Sequence, residues 1–420
     1  MLNTIETVAL IPTIFLLVVI ISQYVILAFK PKKIKGNYKP DISIIIPAHN
    51  EGKYLRKTIN SILESSYKGK NEIIVIDDGS TDNTPKIMEE FKKKKLIKSI
   101  RTNHIGKSKA LNRGLKLAKY GIIVTLDGDT EIEKDSLAKL LIPFKDKKVA
   151  ATTGTIKVAN NKKILTWFQR VEYLYYSLYK SLCDRIDGVI CASGTFSAIR
   201  RKYLTKEFSS KLYSEDIDLT LNLIKNGYKV RYVPEAVAYT FVPENLKDLV
   251  KQRSRWCRGC IQVMKKHPNL FFNKKYFGPG FYSLPLLSYW YFHALIMGIL
   301  LFLQILVGYY SFYYINGNII SFEVLKYFFY WFSVFGVVNL AYQMIIGNFQ
   351  VKLLYILNLL VVTLTYAIYL YSIKWSKERF TIKDIFVFVF FFPYWIFIMI
   401  IQSLSNIEWF ISKARNWWTK

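Results

Sequence analysis

Histidine is scarce in this 420-residue chain: His49, His104, His267 and His293 are all it holds. Their surroundings suggest no serine–histidine–aspartate constellation, so serine-hydrolase chemistry is set aside. Cysteine is equally rare, with Cys183, Cys191, Cys257 and Cys260. Cys257-Arg258-Gly259-Cys260 has no second cysteine pair and no nearby histidine pair, which argues for one face of a helix rather than a zinc or redox site. Disulfides are not expected, because all four cysteines fall in a portion read below as cytosolic. Acidic residues are few beside basic ones: 30 Asp plus Glu against 59 Lys plus Arg, a net charge of +29. Nucleic acid, anionic lipid headgroups or an anionic substrate could each answer such an excess. The run Lys92-Lys93-Lys94-Lys95 follows a helical stretch and reads as a solvated helix end or loop rather than a dedicated binding patch.

Long apolar segments are what the chain does have. The first runs from about Val8 to Ala28, long enough to span a bilayer. It has no basic stretch before it and no convincing cleavage site, so an anchor is expected rather than a removed signal peptide. Lys30, Lys32, Lys33 and Lys35 follow it, while Glu6 is the one charged side chain that precedes it. The positive-inside rule then places residue 30 onward in the cytoplasm, and the pattern suits a plasma membrane. After residue 280, spans are expected near 284–310, 325–347, 353–373 and 385–406. The loop 311–324 lacks Lys and Arg and suits the outside; Lys413, Arg415 and Lys420 suit a cytoplasmic tail. Lys374, Lys377, Arg379 and Lys383 fall outside in this arrangement, against the charge rule unless one segment is interfacial. The expected organisation is an anchor (1–35), an α/β domain (36–243), interfacial helices (244–280) and about four transmembrane helices (281–420).

Between 41 and about 240, strand-like and helix-like stretches alternate, which argues for an α/β sheet. Ile42–Ile46 reads as the first strand, closed by Pro47-Ala48-His49-Asn50-Glu51-Gly52. A second, 72–76, ends at Asp77-Asp78-Gly79-Ser80-Thr81-Asp82, where a turn and a helix cap are expected. Two adjacent carboxylates after four apolar residues are costly for a turn alone and point to a ligand. Asn103–Asn112 opens another helix, and a lysine beside its N-terminus is well placed for a phosphate. The run Ile122–Leu126 ends at Asp127-Gly128-Asp129, the strongest single site. Carboxylates at the end of a buried strand can approach a divalent metal and a ribose from one turn. Mg²⁺ or Mn²⁺ there would offset the charge of a leaving diphosphate.

Glu215-Asp216 starts an amphipathic helix through Lys225. Helix-start carboxylates are ordinary caps; the functional alternative is that Asp216 takes a proton from an attacking hydroxyl. Gln252-Arg253-Ser254-Arg255-Trp256 lies on an expected interfacial helix from about Leu246 to Lys266. Trp256 suits a headgroup boundary or a sugar face, while Gln252 and Arg255 can hold diphosphate or hydroxyls. Together these features describe a nucleotide-sugar enzyme attached to a bilayer. Sugar nucleotide and membrane lipids, rather than nucleic acid, then answer the positive charge.

In this order the motifs resemble the processive family-2 glycosyltransferases, the poly-N-acetylglucosamine, hyaluronan and cellulose synthases, over roughly residues 40–270. The resemblance implies a GT-A fold: a doubly wound, Rossmann-like α/β cytosolic domain inserted between transmembrane α-helices, binding a UDP-sugar donor and Mg²⁺ or Mn²⁺. By position, Pro47, His49 and Glu51 fall where the family contacts uridine. Asp77 and Asp78 match the next nucleotide-binding pair, with the one that touches uracil left open. Lys109 aligns with the diphosphate lysine; Asp127 would face the nucleotide and Asp129 the metal, with both in the metal motif. Ser193 and Gly194 belong to the acceptor-side loop. Ser214-Glu215-Asp216 stands where cellulose synthases carry Thr-Glu-Asp, which makes Asp216 the base beside Glu215. Gln252, Arg255 and Trp256 complete the Gln-x-x-Arg-Trp motif, on the donor side and, for Trp256, the acceptor side too. Ser at 214 and a single N-terminal span depart from the family pattern. The implied reaction is one inverting displacement that releases UDP and extends a β-linked polysaccharide, with translocation through the C-terminal helices. Single transfer to a membrane lipid is the alternative, separated by product size.

Overall fold

The computed structural model describes residues 2–32, 36–317, 321–348 and 350–418. Lys33, Lys35 and Lys420, and the side chains of Glu6, Lys413 and Arg415, lie outside the described residues. A long helix, α1 (Leu2–Leu27), leads into alternating strands and helices: β1 (Ile42–Ala48), α2 (Leu55–Leu63), β2 (Asn71–Asp78), α3 (Thr84–Lys93), β3 (Lys98–Thr102), α4 (Lys107–Leu117) and β4 (Ile122–Leu126). Then come β5 (Thr130–Ile132), α5 (Ser136–Leu141), β6 (Val149–Val158), α6 (Ile164–Arg185), β7 (Phe196–Arg200), α7 (Glu215–Lys225), β8 (Lys229–Thr240) and α8 (Leu246–Lys266).

Every residue of β1 is buried, as an apolar run covered on both faces requires. Strand alternation divides the core in two. Ile42, Ile44, Ile46 and Val75 pack with Leu55, Ile59 and Phe91 from α2 and α3. Ile45, Ile74 and Ile76 pack with Leu111 and Leu115 from α4. The strands form one eight-stranded sheet in the order β3-β2-β1-β4-β7-β6-β8-β5. β3, β2, β1 and β4 run parallel, whereas β7 is antiparallel to both its neighbours and β5 to β8. The doubly wound expectation holds for the first half, and the second half is mixed. The chain passes from β1 outward to β3 and returns to β4 on the other side. That reversal opens a crevice at the carboxyl ends of β1 and β4, where ligands bind in such sheets.

The remainder is helical: α9 (Leu284–Asn316), α10 (Phe322–Trp331), α11 (Val334–Ile345), α12 (Leu353–Trp375), α13 (Ile382–Val389) and α14 (Phe391–Trp418). Val8–Leu27, Gly278–Ser311 and Leu353–Trp375 are each long and apolar enough to cross a membrane. The chain is a membrane protein. In place of a straight span over 325–347, α10 and α11 meet at 98°, and α13 and α14 at 60°. Ser333 adopts an extended conformation between α10 and α11, and a Cβ on Gly336 would collide with the Tyr330 carbonyl. The sharp bend therefore needs glycine there.

The segment 374–384 is tied to the α/β domain. Glu378 pairs with Lys157 at 2.8 Å and Arg170 at 3.1 Å, while Arg170 also meets Asp384 at 2.6 Å. Lys383 donates to the Asn161 carbonyl at 2.9 Å. Residues 374–384 therefore pack against the α/β domain.

Candidate active site

The first walls of the crevice are the turns after β1 and β2. Pro47 lies in β1 beside Ile76. Next to it, His49 is exposed, and its Nδ1 sits 2.8 Å from the Asp78 carbonyl, which makes that nitrogen the protonated one. The His49 ring lies against that of His104, with centroids 4.3 Å apart. Asn50 takes a left-handed conformation (φ 58°), accepts from the Thr81 amide and so locks the two turns together. The two aspartates of β2 do different work. Asp78 accepts from the amides of Ile105 (2.6 Å) and Gly106 (2.8 Å) and from the Thr102 hydroxyl (2.9 Å), so its carboxylate shapes the loop into α4. Asp77 is fully buried; it accepts from the Ser80 amide, and its other oxygen lies 3.2 Å from Arg101 Nε.

At the mouth of β4 the charges converge. Lys107 Nζ is 2.5 Å from Asp127 Oδ1. Burial and the Asp127 carboxylate act oppositely on Lys107, and the ion pair prevails, raising its pKa. Burial likewise opposes the ionised form of Asp127, but Lys107 holds its pKa down. Asp129 is pushed up to about 6 by burial and then by Asp127. Glu51 rises to about 8, through burial first and then Asp129 and Asp127. Gly128 permits this crowding: a Cβ there would come within 3.0 Å of Glu51 Cγ. Lys109, the lysine expected at the diphosphate, is instead exposed on another face of α4. Positions 107 and 109 are roughly 200° apart on a helix, so they cannot share a face. The preceding Gly106, at φ 92°, sets the helix to start at Lys107.

The opposite wall joins three segments. The Asp127 amide donates to the Thr195 carbonyl at 3.3 Å, and a Cβ on Gly194 would lie 3.5 Å from Lys107 Nζ. Ser193 closes the same turn by accepting from the Phe196 amide. Asp216 Oδ2 faces the Gly194 amide at 3.3 Å and Cys191 Sγ at 3.5 Å. Glu215 is buried beside it, its pKa raised by burial against the pull of Lys107. Helix α8 seats closely on this turn, since a Cβ on Gly259 would collide with Ser214. On α8, Arg255 is exposed yet close enough to act electrostatically on Asp127 and Lys107. Gln252 has a buried side-chain oxygen without a hydrogen-bond partner. Trp256 is half-buried over the guanidinium of Arg253. Cys257 and Cys260 are reduced and buried on one face of α8.

Glu51, Lys107, Asp127, Asp129, Gly194, Glu215, Asp216 and Arg255 thus share one crevice, with His49 and Asp77 at its β2 end. Among the described residues no three His, Cys, Asp or Glu side chains form a ready-made metal cage. Crowded carboxylate oxygens with raised pKa values nevertheless fit a hard divalent cation that takes its remaining ligands from phosphate and water.

Residues 43–208 match the model of glycosyl transferase family 2. The chain is 32% identical over 291 residues to the poly-β-1,6-N-acetyl-D-glucosamine synthase of Staphylococcus epidermidis, covering 68% of each chain. To the enzyme of the same name in Staphylococcus aureus (strain COL) it is 31% identical over 242 residues, 54% of this chain and 58% of that one. The solved structure of the mannosyltransferase PcManGT from Pyrobaculum calidifontis, in complex with GDP-Man and Mn²⁺, has a TM-score of 0.60 at 18% identity, covering 97% of this chain and 99% of that one. That likeness shows the fold. The chain belongs to glycosyl transferase family 2: it is a glycosyltransferase with a GT-A domain among membrane helices.

Proposed function

We propose that this enzyme transfers N-acetylglucosamine from UDP-N-acetylglucosamine to a growing β-linked polysaccharide at the cytoplasmic face of the plasma membrane. The observation that carries the reading is the meeting of Asp216 with Asp127 and Lys107 around Gly194. A base and a diphosphate site must lie on either side of one anomeric carbon, and this crevice offers both. The names of the staphylococcal relatives support the sugar and the polymer. Lys30 and Lys32 after α1 support the orientation.

In this reading residues 36–243 form the transferase domain, residues 244–280 complete its donor and acceptor sides, and the helices on either side anchor and export. Pro47, His49, Asp77 and Asp78 frame the uridine, and Glu51 and Asp127 approach the ribose. Lys107 and Arg255 neutralise the diphosphate. Asp127 and Asp129 would hold Mg²⁺ or Mn²⁺, which supplies further charge neutralisation to the leaving group. Ser193, Gly194 and Trp256 form the acceptor side, and the free Gln252 oxygen accepts from a sugar hydroxyl. Asp216 takes the proton of the acceptor hydroxyl as its oxygen bonds to the anomeric carbon. The bond to the diphosphate breaks and UDP leaves with the electron pair, which inverts an α-linked donor to a β-linked product.

The test is transfer from radiolabelled UDP-N-acetylglucosamine, UDP-glucose and GDP-mannose in purified membranes, with products sized and lipid-extracted. Long water-soluble product from UDP-N-acetylglucosamine is expected. Label confined to the organic phase would replace this reading with single transfer to a lipid.

A further inference from the structure

A second charge centre sits on α8 behind the crevice. Glu172 on α6 is fully buried and Arg253 is 3% exposed. Their contact is bidentate, with Nη1–Oε1 at 2.9 Å and Nη2–Oε2 at 2.7 Å. Two hydroxyls close the remaining sides of the carboxylate: Tyr176 donates to Oε1 at 2.8 Å, and Tyr394 from α14 donates to Oε2 at 2.5 Å. The guanidinium carbon of Arg253 lies 4.5 Å from the centre of the Trp256 ring, one helical turn along α8.

A buried ion pair adds little net stability over apolar side chains of similar size, because both ions lose their water. Its distinctive property is fixed geometry: a planar fork held by two parallel hydrogen bonds presents one face and no other. Here that face carries the indole. A stacked sugar gains only if the ring beneath it is already oriented. Two further contacts fix the frame: Phe168 stacks on Tyr394 at 5.1 Å, and Ser405 of α14 bonds Ser254 of α8 at 2.9 Å.

We propose that Glu172 and Arg253, with Tyr394 of α14, are positioning residues that set the Trp256 ring for the acceptor sugar, so that the C-terminal helix governs acceptor affinity and product length. The proposal rests on the reading of Trp256 as an acceptor contact. Arg253 touches neither donor nor reacting atoms; it acts through the indole.

The experiment measures initial rates in purified membranes against UDP-N-acetylglucosamine and against a short β-linked N-acetylglucosamine oligomer. The variants are Arg253→Lys, Tyr394→Phe, Trp256→Ala and the combination of Tyr394→Phe with Trp256→Ala. Both single positioning variants should raise the acceptor KM by roughly two- to thirtyfold, the span of a cation–π contact between exposed and desolvated limits. The donor KM should hold, products should shorten, and Tyr394→Phe should add nothing once Trp256 is gone. An unchanged acceptor KM with a lowered kcat, or effects that add in the combination, would overturn the proposal. If Trp256→Ala itself leaves the acceptor KM unchanged, the acceptor reading of Trp256 fails and the proposal with it. A raised KM in Trp256→Ala alone refutes only the positioning role. A variant that also loses UDP binding has lost its fold; Tyr394→Phe, which keeps the stacked ring, then decides.

Discussion

At the scale of single residues, the crevice is governed by which charges face one another. Lys107 is the cation that Asp127 holds, and in the proposed reading its removal takes a positive partner from the diphosphate. Lys107→Met should therefore raise the donor KM roughly ten- to hundredfold, the worth of a hydrogen bond between charged groups. Lys109→Met should stay near the parent enzyme, and steady-state kinetics over a donor series checks both. Chelation gives a second expectation. Burial first, and then the neighbouring carboxylates, push Glu51 up to about 8 and Asp129 up to about 6, and a divalent cation in the proposed site would offset that crowded negative charge. EDTA should stop transfer, and Mg²⁺ or Mn²⁺ should restore it. The motifs Asp77-Asp78 and Asp127-Gly128-Asp129 were legible because each follows a run of buried, largely β-branched residues that reads as a strand. The choice between Lys107 and Lys109 was not, since it depends on helix phase set by Gly106.

At the scale of elements, α8 positions the site by lying directly on the turn that carries Asp216. Gly259 is the contact, and its hydrogen faces Ser214 where a methyl group would strike both the hydroxyl and the backbone amide. Gly259→Ala should push the Ser214–Asp216 turn outward and lower kcat about a hundredfold, as small misplacements of reacting groups do. UDP affinity, which the proposed reading assigns mainly to the ends of β1, β2 and β4, should change much less; calorimetric UDP binding beside transfer rates separates the two. The amphipathic helices over 215–225 and 246–266 were readable from their apolar periodicity. Antiparallel β7 was not, because Phe196–Arg200 follows the Ser193–Thr195 turn without a hairpin signal. The break between α10 and α11 was hidden within a continuous apolar run, where hydropathy alone cannot register a bend.

At the scale of the whole molecule, the α/β domain and the membrane helices are joined by ionic contacts as well as by chain connection. Arg170, Glu378, Asp384 and Lys157 bind the turn after α12 to α6 and β6. Breaking such a buried cluster by Arg170→Met should cost about 3–5 kcal/mol, because it strands carboxylates out of water. A large fall in melting temperature of the detergent-solubilised enzyme would register it. The same contacts carry an expectation about topology. Lys377→Cys and Lys53→Cys should react with an impermeant maleimide from one side of the membrane, and Asn348→Cys from the other. Lys374, Lys377, Arg379 and Lys383 conflict with the charge rule when 325–347 is counted as a full crossing, and the alternative of one segment that does not span accords with the 98° bend between α10 and α11.

The central claim is that Asp216 deprotonates the acceptor hydroxyl beside the donor held by Asp127 and Lys107. The most direct measurement compares Asp216→Asn with the parent enzyme, following sugar transfer and UDP binding in the same membranes. The account predicts transfer reduced by about 10²–10⁴, the usual contribution of a general base, with UDP affinity retained. Transfer near the parent rate in Asp216→Asn would contradict it.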